Sequence, residues 1–74
     1  MEIVEVFKTN VEKDEQARRL IKKLLVHFPY CKINFDLEDC DKILRVAGIQ
    51  GIEICADKII ELINTSGYQC EILP

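Results

Sequence analysis

The sequence predicts one small α+β domain: a four-stranded antiparallel sheet with two helices on one face. Three observations lead there. Segments with apolar residues at every second position alternate with segments whose apolar residues fall at helical spacing, in the order strand, helix, strand, strand, helix, strand. The chain is 74 residues long, which is room for one core and no second. Its composition, 49% hydrophobic and 31% charged, is that of a globular chain and not of a disordered one.

Glu2–Lys8 is short and rich in Ile, Val and Phe, with Val4 and Val6 sharing a face, the signature of a strand. Thr9-Asn10-Val11-Glu12 follows, a polar start with Glu three residues after Thr, which has the form of a helix capping box; Asn10 is the alternative cap. Ala17, Leu20, Ile21, Leu24, Leu25 and Phe28 then form one apolar stripe at helical spacing, and Pro29 ends the helix. Cys31, Ile33, Phe35 and Leu37 alternate with Lys32, Asn34, Asp36 and Glu38, as in a strand with one wet face. Glu38-Asp39-Cys40-Asp41 supplies a polar turn, and Lys42–Ile49 returns as a strand with Leu44 and Val46 inward. Gly48 and Gly51 bracket a connection to a second helix over about Ala56–Thr65, whose inward residues are Ala56, Ile59, Ile60 and Ile63. Gly67 stands where a left-handed C-terminal cap is expected, and Tyr68–Leu73 alternates again as the last strand.

Two right-handed βαβ crossovers resolve this βαββαβ order to a ferredoxin-like sandwich over residues 1–74, with strand order 4-1-3-2. Its bare sheet face is expected to show Glu5, Asn34, Asp36, Arg45 and Glu71, polar and of mixed sign. Such a face lacks the aromatic rings that single-stranded RNA stacks on. The net charge of −3 likewise argues against a nucleic-acid partner. No apolar run approaches the length of a membrane span, and no hydrophobic segment with a cleavage site opens the chain, so a cytoplasmic protein is expected. In that compartment the four cysteines (Cys31, Cys40, Cys55 and Cys70) are expected as free thiols. They include no CxxC pair, and His27 is the only histidine.

Element order and spacing, the acidic DLEDCD turn with its return at Lys42–Val46, and the segment IIELINTSGYQCEIL resemble the heavy-metal-associated domain of copper chaperones and metal-transporting ATPases. The resemblance covers essentially the whole chain. In that family a Met-x-Cys-x-x-Cys loop between the first strand and first helix holds Cu(I) or another soft ion. Alignment on the first strand and the Ala17/Leu20/Leu24 stripe places Asn10 and Lys13 at the two cysteine positions. An amide and an ammonium offer no soft thiolate, so the resemblance implies the fold without the family's metal site. It also brings the Cys40 turn and the Gly67-Tyr68 turn to the end that bears the metal loop, which makes Cys40 the alternative for soft-metal binding, as in a dimer. Tyr68 matches the bulky residue that shields the loop.

Neither cofactor nor enzymatic activity is expected: no nucleophile has a base beside it, and no glycine-rich phosphate loop is present. Cys55, at the start of the second helix, is the candidate reactive thiol, with cap filling as the plainer reading. Cys31 and Cys70 are in phase with the core residues of their strands. Residues 1–28 carry six basic and five acidic side chains, and residues 29–74 carry four and eight. Arg18, Arg19, Lys22 and Lys23 line the exposed side of the first helix, with the pairs Asp14–Arg18 and Glu15–Arg19 at i,i+4 spacing. The functional expectation is a protein-interaction or regulatory module, a monomer or weak dimer, whose basic first helix meets an acidic protein partner.

Overall fold

The computed structural model describes residues 2–49 and 54–73. The elements are β1 (Glu2–Thr9), α1 (Asp14–His27), β2 (Lys32–Asp36), β3 (Ile43–Ile49), α2 (Ala56–Thr65) and β4 (Cys70–Ile72). Every strand pair is antiparallel. The strands lie side by side as β2-β3-β1-β4; counted from the β4 edge, the same neighbours are 4-1-3-2. Among the described residues, no helix is long and apolar enough to cross a membrane.

Residues directly opposite in an antiparallel pair share a face, so the register assigns every side chain. Phe7 lies opposite Leu44, which lies opposite Phe35; Glu5 lies opposite Val46, which lies opposite Ile33. Phe7, Leu44 and Val46 are fully buried and form one core with Leu20 and Leu24 of α1 and Ile59 and Ile63 of α2. Both helices therefore cover the same face of the sheet. Each fully buried large side chain there contributes about 1.5–3 kcal/mol of transfer free energy, the main return for ordering so short a chain.

This register corrects the expected bare face. Val4 pairs with Ala47 and Val6 with Arg45, which puts both valines on the face opposite Phe7. Glu5 lies on the helix side, in line with Val46, and does not belong to the bare face. The alternation of β1 is genuine but has two apolar phases, Ile3/Phe7 and Val4/Val6. Only packing against Leu44 decides which one is inward. Asn34, Asp36, Arg45 and Glu71 do occupy the bare face, with aliphatic side chains among them.

The start of α1 also differs from expectation. The helix begins at Asp14 with Lys13 at the cap, and the Lys13 N–H donates to Gln16 Oε1 at 3.3 Å. The segment Thr9–Glu12 forms no cap. Val11 instead drops into the core, fully buried, and its N–H goes to the Thr9 hydroxyl. At the other end the Phe28 N–H returns to the Leu24 carbonyl, and Pro29 follows where no further helical N–H could be supplied. Gly67 closes α2 at φ +97, where a Cβ would be strained, and its N–H donates to the Asn64 carbonyl.

Candidate functional site

Three loops converge at one end of the sheet, and Thr9 and Asn10 hold them together. The Thr9 hydroxyl donates to the Lys42 carbonyl and accepts the Val11 N–H at 3.2 Å, while the Thr9 N–H donates to the Asp41 carbonyl at 3.0 Å. Asn10 Oδ1 accepts the Gln69 N–H at 2.7 Å, across 59 residues of sequence. These bonds tie the β1–α1 loop to the Leu37–Lys42 turn on one side and to the start of β4 on the other. Asn10 thus has a structural occupation at the position where the resemblance puts a thiolate. Lys13 is exposed at the helix cap. Tyr68, half-buried, packs against the core at this end, its N–H bonded to the Ile63 carbonyl.

Cys40 lies on the same end, exposed, between Asp39 and Asp41. The sulfur and one oxygen of each carboxylate come within 4.8 Å of one another, the one such group of three among the described residues. Asp39 Oδ1 already accepts the Asp41 N–H at 2.9 Å, and Asp41 lies 3.9 Å from the Lys8 ammonium. The turn is set by Lys42 at φ +47, whose ammonium donates to the Leu37 carbonyl at 3.0 Å. Two hard carboxylates beside one soft sulfur do not form a matched ligand set for either a hard or a soft cation.

The remaining thiols fall where their sequence phase put them. Cys31 is buried, in the core beside Gly48, and burial pushes its thiol up from the ordinary range. Cys70 is half-buried against the core, and its thiol is pushed up to about 11, first by burial and then by the neighbouring Glu71 carboxylate. Both sulfurs are held protonated at neutral pH and are poor nucleophiles. Cys55 is exposed at the α2 cap and makes no side-chain hydrogen bond to the helix N-terminus.

On α1, Arg18, Arg19, Lys22 and Lys23 are all exposed. Arg19 pairs with Glu15 at 3.8 Å, as the i,i+4 spacing predicted, while the Asp14–Arg18 pair does not form among the described residues. Arg18 instead overlooks a depression of about 450 Å³ between α1 and β2, which also carries Asp14, Asp36 and Glu38. Arg19 and Lys23 line a second one of about 230 Å³ with Tyr68 and Ser66, and Lys23 Nζ donates to Ser66 Oγ at 3.1 Å. The basic face therefore reaches across to the C-terminal end of α2. His27 stands exposed in the last turn of α1.

Sequence reasoning missed the roles of Gln16, Ser66 and Val11. Gln16 was legible as the last member of a capping pattern shifted by four residues; nothing local marked the other two. The fold and this end of the molecule define a small α+β domain with a cross-linked loop cluster and a cationic helix beside it. Compared with protein-family models, curated proteins and solved structures, the chain matches none.

Proposed function

We propose that the chain is a ferredoxin-like domain of the heavy-metal-associated type that works by binding protein and not by carrying metal. Its contact surface is the exposed face of α1. The observation that carries this reading is the cationic face itself: Arg18, Arg19, Lys22 and Lys23 are all exposed on a chain whose net charge is −3. Charge segregated in this way steers an acidic partner toward one side of the molecule and repels it from the rest. The depression bounded by Arg19, Lys23 and Tyr68 offers an aromatic side chain beside the charges, the residue types enriched at binding hot spots. Occupation of Asn10 by Gln69 supports a structural role for the loop that resembles the metal loop. The test is recovery of partners by the native protein and by the Arg19→Glu/Lys23→Glu variant at matched salt. Loss of specific partners in the variant is expected, and identical recovery would refute the reading.

The exposure of Cys40 favours a second reading, a soft-metal protein using Cys40 of two copies. Titration of the reduced protein with Cu(I) against a competing chelator decides it. Affinity that is absent, or unchanged in Cys40→Ser, removes it.

A further inference from the structure

We propose that the bare face of the sheet binds a second copy of this chain. This goes beyond the α1 reading, since that face lies on the side of the sheet away from both helices. The register arranges its side chains in rows. One row runs Lys32, Ala47, Val4; the next runs Asn34, Arg45, Val6; the third runs Asp36, Ile43, Lys8, Glu71. The Leu73 N–H donates to the Val6 carbonyl at 2.9 Å, which continues the β4 register and sets Leu73 beside Val6 on the same face. Aliphatic side chains thus flank Arg45 on this face, and Val4 is 47% exposed there with no element over it among the described residues.

A second copy is the occupant the charges select. The face carries Lys32, Arg45 and Lys8 against Glu2, Asp36 and Glu71, with Lys32 3.9 Å from Glu2, so its charges cancel although the whole chain is acidic. Two copies meet there without the repulsion that their net charges impose elsewhere. A two-fold axis in the plane of the face, running across the strands through the Asn34–Arg45–Val6 row, keeps each strand over its own counterpart and exchanges the outer rows. Lys32 of each copy then faces Asp36 of the other, Ala47 faces Ile43, the Val4 methyls lie against the Lys8 stem, and Val6 and Leu73 meet their own equivalents. The two Arg45 side chains approach near the axis, each with Asp36 of its own chain at 3.7 Å. Strand directions stay nearly aligned, as in sheet-on-sheet packing.

Area bounds the contact. Strands spaced about 4.8 Å apart and up to eight residues long give a face of roughly 300–400 Å² before side-chain relief. A pair would bury on the order of 1,000 Å², the lower limit for a specific interface. The expected dimer is therefore weak and reversible, with a Kd between about 10 μM and 1 mM.

Sedimentation equilibrium of the whole chain across that concentration range tests the proposal. The weight-average mass should climb from the monomer value toward twice it, and Val4→Lys should hold the protein at the monomer value with an unchanged circular dichroism spectrum and melting midpoint. Lys32→Asp and Asp36→Lys should each weaken association about tenfold, and the double variant should restore it, which a loss of packing alone would not do. A monomer at every concentration, or a dimer indifferent to Val4→Lys and to the charge exchange, would overturn it.

Discussion

Replacing Thr9 with Val removes one hydroxyl and almost no volume, so its cost isolates the loop pin from packing. Thr9 is 6% exposed and Val11 fully buried, so the Val11 N–H loses its partner where water has little access. The Lys42 carbonyl loses the Thr9 donor in a half-buried place. An unpaired buried polar group costs about 1–3 kcal/mol, and the more accessible carbonyl recovers part of its share from water. The sum is about 2 kcal/mol. Unfolding entropy of roughly 2.1 cal/mol/K per residue converts this into a fall in melting midpoint of about 13 °C for a chain of 74 residues. Thr9→Ser keeps both hydrogen bonds and loses only a buried methyl, at about 0.8 kcal/mol and about 5 °C. Thermal unfolding followed by circular dichroism measures both variants. Hydrogen exchange at the Val11 amide should quicken in Thr9→Val and stay slow in Thr9→Ser. A Thr9→Val midpoint within about 3 °C of the parent, or a Ser variant less stable than the Val variant, would refute the pin.

Leu24→Ala, at a fully buried position between the helices and the sheet, should cost about 2–5 kcal/mol, read as a lower denaturant midpoint with an unchanged slope. Exposed Leu25→Ala in the next position should shift it far less. For Cys70, the folded-state pKa of about 11 lies above the ordinary 9.0, so the protonated thiol is the form the fold prefers. Its contribution to stability is complete below about pH 9 and is lost as pH rises through about 11. Unfolding free energy of the parent minus that of Cys70→Ser should therefore shrink across that window; a difference that is flat with pH would contradict the assignment.

Much of the fold was legible because the second half of the chain is unambiguous. Val46 stands between Arg45 and Ala47, Ile59 and Ile63 mark one helical face, and Gly67 sits at the left-handed turn. Each of these signals is local, and a single period satisfies it. The first strand was not of that kind. With Ile3 and Phe7 in one phase and Val4 and Val6 in the other, hydrophobicity alone selects neither face. Thr9 and Asn10 misled for a related reason. The side-chain oxygens that cap a helix serve equally well to receive a distant backbone N–H, and the choice depends on what lies within 3 Å once the chain has closed.

Sequence by itself determined the order of elements, the inward faces of β2, β3 and α2, that of α1 except for Leu25, which the structure leaves exposed, and the cationic side of α1. Periodicity and residue chemistry are properties of a few neighbours and survive without knowledge of the rest. The tertiary structure alone decided the phase of β1, the valines of the bare face, the burial of Val11 and the bonds from Thr9 to Lys42 and from Asn10 to Gln69. Those depend on partners 33 and 59 residues away along the chain, brought within hydrogen-bond reach only when the sheet has set its register.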